Sequence, residues 1–299
     1  LYTPWISFPL GPQRKSGFLF PDIGLSSRNG AELTVPYYWN IAPNMDFTFA
    51  PAVYAKRGLD LSGEFRFMST RQEALVDFNF LPRDRLTDSD RGRIYVEQRY
   101  QLPSRWQFTA NATHVSDGQY YEDFATGSEN TSIPFAERFA ELSYRDLHWT
   151  LRAQAQNFQI LDTALLAADR PYTRLPRLVA AGDWTLGGKR GLAWGFDSEL
   201  VNFDRNTGVT GWRFDAAPRV GLDWSGPGYF LRPQAGYRYT SYSLGNTSPG
   251  ANDSTNRQLP FVTVDSGVVL ERPSGSRGQR RSTLEPRALY LYTPFRNQD

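Results

Sequence analysis

Apolar and polar side chains alternate with a period of two along almost the whole chain. In residues 59–67, Leu59, Leu61, Phe65 and Phe67 interleave with Asp60, Ser62, Glu64 and Arg66. Ile94, Val96, Tyr100 and Leu102 share one face, and Arg93, Glu97, Arg99 and Gln101 the other. The pattern returns with Trp106, Phe108 and Ala110 against Gln107, Thr109 and Asn111, and with Phe214, Val220, Leu222 and Trp224 against Arg213, Asp215, Arg219 and Asp223. Val262 and Val264 likewise oppose Thr263 and Asp265. Such alternation is a strand signal, and no segment carries a comparable helical stripe. It predicts fifteen strands, near 17–28, 31–40, 45–56, 59–68, 73–82, 92–102, 105–116, 135–145, 148–160, 176–187, 191–204, 211–224, 229–244, 259–272 and 281–295. Most exceed the usual soluble strand of about five or six residues and suit tilted membrane strands of about 9–11 residues with overhang.

The connections alternate in length. Ile41–Asn44, Ser69–Gln72, Pro103-Ser104, Asp146-Leu147, Gly187–Arg190 and Gly226–Gly228 are short; 83–91, 117–134, 161–175 and 245–258 are long or polar. Outer-membrane barrels have short periplasmic turns and longer external loops, which puts 117–134 and 161–175 outside and the start of the first strand in the periplasm. Phase demands the strand 17–28, turning at Asn29-Gly30. An odd strand count does not close a bacterial barrel, so the sheet is expected to be a part of a larger one. The first residues carry no basic start followed by an apolar stretch, and the polar end follows a strand directly, so the segment reads as internal to a longer chain.

Composition narrows the class. The 33 Lys+Arg and 31 Asp+Glu leave a net charge of +2, which excludes nucleic-acid binding by gross charge. Absent cysteine excludes disulfides, thiolate metal sites and thiol nucleophiles within the segment, and two histidines leave little for metal ligation. Mean hydropathy is −0.52 and no apolar run approaches the length of a membrane helix. Yet 15% of residues are aromatic. A polar average with abundant aromatics fits an all-β, antiparallel transmembrane β-barrel, whose alternation hides the membrane face from the mean. Composition alone leaves a large soluble all-β protein open.

Ser16–Pro21 (Ser-Gly-Phe-Leu-Phe-Pro) and Val35–Asp46 (Val-Pro-Tyr-Tyr-Trp-Asn-Ile-Ala-Pro-Asn-Met-Asp) resemble the LPS-assembly outer-membrane proteins of the LptD type. Lys56-Arg57-Gly58, Glu64-Phe65-Arg66, Leu81-Pro82-Arg83-Asp84 and Leu284–Tyr292 follow in register. The resemblance implies that residues 1–16 end a periplasmic β-jellyroll and its hinge, and that 17–299 form the N-terminal part of the barrel. It implies lipopolysaccharide as cargo, a plug lipoprotein LptE inside the barrel, a periplasmic bridge protein LptA meeting the N-terminal domain, and residence in the outer membrane of a Gram-negative bacterium. It places a lateral gate between the first and last strands, and the family's cysteines outside this segment. No cofactor or metal is implied.

Three groups of residues are candidates. Pro21 and Pro36 fall inside the first two strands, where a residue without a ladder N–H weakens pairing; with Phe18, Phe20, Asp22 and Ile23 they make the candidate gate. The bland reading is edge-strand proline or a bulge. Arg93, Glu97, Arg99, Arg152, Arg213, Arg219, Arg232 and Arg238 should face a hydrated lumen, where forked guanidinium contacts suit phosphate and carboxylate; Arg–carboxylate pairs within a solvated wall explain them equally well. Tyr37, Tyr38, Trp39, Trp106, Trp149, Trp184, Trp194, Trp212, Trp224, Tyr229 and Phe230 fall near strand ends and suit interfacial girdles, with packing against a plug or jellyroll as the bland reading. A general porin is the alternative function. A phospholipase built on His114 and Ser116 is a weaker one, because no residue that would orient the imidazole is identifiable.

Overall fold

The computed structural model describes residues 14–124, 133–186, 190–274 and 280–296. The expected turn at 187–189 and most of the expected terminal domain, 1–16, lie outside them. The strands are β1 (Gly17–Phe18), β2 (Asp22–Ser26), β3 (Gly30–Thr34), β4 (Tyr37–Ala42), β5 (Met45–Phe49), β6 (Ala52–Tyr54), β7 (Gly58–Met68), β8 (Gln72–Asp84), β9 (Ser89–Gln101) and β10 (Trp106–Val115). A one-turn helix, α1 (Tyr120–Phe124), precedes β11 (Phe135–Arg145), β12 (Trp149–Ile160), β13 (Thr173–Leu186), β14 (Arg190–Asp204), β15 (Thr210–Gly226), β16 (Tyr229–Gly245), β17 (Ser254–Val268), β18 (Leu270–Ser274), β19 (Arg280–Leu284) and β20 (Arg287–Tyr292). Eighteen strands belong to one sheet, and β18 with β19 form a separate hairpin. The all-β, antiparallel class expected from alternation holds.

The difference from fifteen strands comes from breaks within them. The expected first strand is interrupted between Phe18 and Asp22, the second at Val35-Pro36, the third at Ala50-Pro51, and the last two around the β18–β19 hairpin. Alternation signals which face a residue takes but is blind to a missing N–H, so these interruptions need the prolines to be read as breaks. The helix α1 was not expected; five residues are too few for a periodic stripe.

The chain divides into two compact units, Leu1–Leu142 with Ala155–Thr173, and Ser143–Gln154 with Arg174–Asp299. In the first, β1–β4–β5–β7 and β2–β3–β6–β7 form two ladders that merge on β7 and continue through β8, β9 and β10. In the second, β14–β15–β16–β17–β20 is a meander with long registers.

Register sorts the faces. Ile94 and Val96 lie beside Phe78 and Val76 of β8, while Glu97 and Arg99 lie opposite Asn111 and Thr109 of β10. Leu192 meets Leu222, Trp194 meets Val220, and Ala235 meets Val262, whereas Arg232 meets Asp265. Among the described residues this apolar face is left open: Trp194 is 41% exposed, Val220 49% and Val262 42%. A water-soluble sandwich would bury such a face, and a bilayer is the solvent that satisfies it. The only clustered apolar core among the described residues is small: Val115, Tyr120, Ala136 and Leu161, with Tyr121, Phe124 and Ile133 packed around it.

Candidate functional site

The three strands at the start of the sheet share one crease. Pro21, Pro36 and Pro51 stand at their breaks. Leu19 N–H donates to the Pro36 carbonyl at 2.8 Å, and Val35 N–H to the Pro51 carbonyl at 3.1 Å. A residue's N–H and C=O point to the same side of a strand, so Pro36 and Pro51 each hold a neighbour through the carbonyl and offer no return bond. From β3–β6 to β4–β5 the register runs on without a slip, Thr34 opposite Ala52 and Tyr37 opposite Phe49. On the first strand it does slip: Phe18 pairs with Tyr37 but Asp22 with Thr34, leaving one extra residue in 19–21. A one-residue bulge exchanges the faces. Phe18 therefore packs edge-on against Tyr37 (ring centroids 5.1 Å) on the apolar face, and beyond the bulge Ile23 and Leu25 take that face while Asp22 takes the other. Phe20, inside the bulge, is 93% exposed. The structure thus brings the six gate candidates together and adds Pro51.

The arginines expected on the polar face are already partnered. Arg93 pairs with Asp77, Arg99 with Glu73 (3.1 Å), Arg219 with Asp183 (2.5 Å) and Asp197, Arg232 with Asp223 (3.0 Å) and Arg238 with Asp215 (2.9 Å). Glu199 takes both Arg177 (2.6 Å) and Arg213. Glu97 accepts from the Tyr95 hydroxyl at 3.0 Å, and Arg152 stands on β12 with a buried Nε that has no hydrogen-bond partner. The face is a hydrated wall of cross-strand ion pairs rather than a row of free cations.

A denser charge cluster, not singled out from the sequence, lies at the turn end of the first unit. Pro82 and Arg83 form a bulge in β8, with Arg83 at φ +52°; the register steps from Leu81 opposite Arg91 to Asp84 opposite Ser89. Regular alternation would put Asp84 on the apolar face. The extra residue turns it to the polar face, where it is fully buried. Asp84 accepts from Arg57 Nη1 at 2.6 Å, from Arg91 Nη1 at 3.3 Å and from the Leu86 N–H at 2.9 Å. Arg57 also donates Nε to Asn29 Oδ1 at 2.8 Å and meets Asp123 at 2.8 Å. Arg91 grips Asp117 with two bonds, 2.8 and 2.9 Å, and reaches Asp123 at 2.5 Å. The Phe124 ring lies between the two guanidiniums, 4.9 Å from each. Burial opposes the charge of Asp117, but hydrogen bonds from Arg91 and Ser116 outweigh it and hold the carboxyl below its ordinary range. The cluster joins the β2–β3 turn, the β6–β7 turn, the β8–β9 turn and α1. Its clue in the sequence was the pair of short charged motifs at strand ends, Lys56-Arg57-Gly58 and Leu81–Asp84.

At the opposite ends of the same strands, buried Asp46 accepts from Arg14 Nη1 (2.7 Å), Arg66 Nε (2.8 Å) and the Tyr38 hydroxyl (3.3 Å). Ser16 Oγ accepts from the Asn40 N–H at 2.9 Å. The residues leading into β1 are thereby pinned to β4 and β5. A cavity of about 440 Å³ opens beside them, lined in part by Glu73, Glu97 and Arg99.

His114 and Ser116 do not form a catalytic pair. Arg138 Nη2 donates to His114 Nδ1 at 2.7 Å, and the Ser116 hydroxyl donates to Asp117 at 2.6 Å. On the second unit, Trp184 stacks on Trp194 (4.1 Å) with Trp149 edge-on at 5.0 Å, an aromatic group at strand ends as a girdle requires.

The profile of the family described as "LPS transport system D" matches residues 89–299, and a second, "LptD protein", matches 1–157. The chain is 37% identical to the LPS-assembly protein LptD of Nitrosococcus oceani, over 99% of this chain and 40% of that protein. It is 38% identical to the namesake from Alkalilimnicola ehrlichii, over 100% of this chain and 40% of the relative. It therefore spans about 40% of the length of these relatives. Among solved structures, a loop-deletion mutant of OmpT, an outer membrane protein of Vibrio cholerae, aligns over 93% of this chain and 98% of its own at 9% identity, with a TM-score of 0.36.

Proposed function

The chain belongs to the LPS transport system D family, and from that premise we propose that it is a wall segment of the outer-membrane β-barrel that assembles lipopolysaccharide into the outer leaflet. The lipid's acyl chains leave sideways between the first and last strands of the full barrel, and its sugar headgroup passes through the lumen. The protein is a transporter component of the Gram-negative outer membrane and not an enzyme. The observation that carries the gate is the run of three proline breaks through β1–β6, the first strands of the sheet. Each missing N–H removes a ladder bond of roughly 0.5–1.5 kcal/mol, and in β1–β6 the strands themselves end at the prolines, whereas β15, β16 and β17 run on past Pro218, Pro233 and Pro260. The bulge at 19–21 supports the same reading, because a seam that must open profits from a strand already bent out of register.

Asp22 faces the closing strand of the full barrel in this reading. The ion-paired face bearing Arg93, Glu97, Arg99, Arg152, Arg213, Arg219, Arg232 and Arg238 lines the lumen, where it meets phosphorylated sugar and the plug lipoprotein LptE. The periplasmic bridge protein LptA docks on the domain ahead of Arg14, which Asp46 and Asn40 hold in place. A porin lacks reason for a crease beside its seam.

A disulfide from Asp22→Cys to a facing cysteine on the last strand of the full-length protein tests the gate. It should stop delivery of lipopolysaccharide to the cell surface, and reductant should restore it. Normal delivery with the crosslink fully formed would move the exit elsewhere.

A further inference from the structure

Outward of the proline crease, β2, β3 and β6 behave as one piece. Ala55 N–H donates to the Ala31 carbonyl (2.9 Å), Lys56 N–H to the Asn29 carbonyl (3.0 Å) and Lys56 Nζ to the Ser27 carbonyl (2.7 Å), so the two turn tips are tied together. From this piece the Arg57 side chain reaches out, to Asp84 on the wall and to Asp123 on α1. The guanidinium is buried, and Phe124 covers it. The helix α1 itself rests on the polar face of the sheet: Arg91, on that face of β9, grips Asp117 and Asp123, and Tyr54 of β6 packs on Phe124 at 6.1 Å.

We infer that Arg57 is a positioning residue for the gate: through Asp123 and Phe124, α1 latches the guanidinium that ties the β2–β3 hairpin to the wall, so displacing α1 frees that hairpin to pivot about the Pro21–Pro36–Pro51 crease. The inference rests on the reading of the first strands as a lateral gate and adds its control. In that reading, the face on which α1 lies is the one along which the headgroup travels. A bulky anionic sugar moving past β9 displaces α1 sterically, and its phosphates compete with Asp123 and Asp117 for Arg57 and Arg91. Cargo in the lumen then releases the hairpin that must move to let the acyl chains out. Loss of α1 does not unfold the sheet, because the β7–β8–β9 ladders remain, but it opens the Arg57–Asp84 pair to water, where an ion pair contributes little.

The test is hydrogen–deuterium exchange of the full-length protein purified from outer membranes. Asp123→Asn should raise amide exchange in 22–34 by about tenfold, the scale of one lost charge-assisted hydrogen bond, and Phe124→Leu, which uncovers the guanidinium, should raise it in the same segment, while 72–80 of β8 stays as protected as before. Asp123→Glu should restore protection, which loss of general stability would not permit. Faster exchange in 117–124 with 22–34 unchanged would overturn the latch. If Asp123→Asn does not assemble, Phe124→Leu decides alone, since it removes no hydrogen bond. Surface delivery of lipopolysaccharide in the same strains separates the two claims. A freed hairpin with unaltered delivery keeps the latch and sinks the gate, whereas altered delivery with an unaltered hairpin sinks the latch.

Discussion

The Arg57 guanidinium meets Asp123 at 2.8 Å, joining the turn behind the first strands to the helix in a long loop. Neither residue is near the other in sequence, and each has a second partner: Asn29 and Asp84 for Arg57, Arg91 for Asp123. Two arginines thus serve three aspartates, Asp84 shut off from water and Asp117 and Asp123 partly open to it.

Removing one member of such a cluster leaves the rest uncompensated. Arg57→Ala leaves buried Asp84 with only the longer Arg91 contact (3.3 Å) as a charged partner and should lower stability by about 3–5 kcal/mol. Asp123→Ala should cost less, because Asp123 is partly exposed and Asp84 still neutralises both arginines. Thermal unfolding of the purified full-length protein measures both; equal losses would mean that the cluster is not organised around Asp84.

The β8 bulge should be indispensable as a residue count rather than as a side chain. Arg83→Ala keeps the bulge and should be nearly neutral, and Arg83→Gly should be neutral or slightly stabilising, since φ is +52° there. Inserting one residue after Asp90 gives Pro82 and Arg83 a partner each, restores regular alternation, turns Asp84 to the lipid face and should abolish assembly. Heat-modifiable migration of the folded barrel reads this out. An insertion variant that assembles normally would show that Asp84 reaches the cluster without the bulge.

Acid should loosen α1 before it unfolds the sheet. Arg91 and Ser116 face Asp117, and Asp84 and Asp123 share the same arginines. Because the folded carboxyl titrates below its ordinary range, its contribution is complete above about pH 4, the unfolded value, and is lost as pH falls below it. Limited proteolysis at 117–124, with an acid-tolerant protease, should accelerate through that interval. Unchanged cutting down to about pH 2 would remove Asp117 from the account.

Pro51→Ala should behave like Pro21→Ala and Pro36→Ala. Each restores one donor, worth roughly 0.5–1.5 kcal/mol if the ladder bond forms, and each should slow delivery of lipopolysaccharide mildly by tightening the crease. Pulse-labelled lipopolysaccharide at the cell surface is the measurement. A Pro51→Ala strain with wild-type delivery would confine the crease to the first two strands.

The two faces should respond oppositely to charge. Val220→Arg and Val262→Arg, on the exposed apolar face, should each cost about 2–4 kcal/mol near the bilayer midplane. Gln234→Arg, between Gly221 and Thr263 on the polar face, should be tolerated. Refolding into lipid vesicles from denaturant distinguishes them, and equal tolerance on both faces would contradict a lipid-facing wall.

Much of this was decided locally. A period of two needs no tertiary information, because successive side chains of any extended segment point to opposite faces; β7, β11 and β14–β16 lie where the alternation of Leu59–Phe67, 135–145 and 191–244 puts them. Proline is local only in part: a residue with no N–H loses one ladder bond wherever it stands, but β15, β16 and β17 run on past Pro218, Pro233 and Pro260, so the breaks at Pro21 and Pro36 needed the pairing as well. The third break was legible too, since Pro36 and Pro51 mirror each other about the turn at Asn44, but only with pairing in mind. The charge cluster was not. Whether Asp84 faces lipid or its partners depends on one extra residue in β8, and whether Arg57 is a free cation or a buried tie depends on turns that pairing brings together. Such contacts join residues far apart in sequence, and their energy comes from excluding water around charges that are solvated in the extended chain. Alternation carries no record of that, so only the folded arrangement decides it.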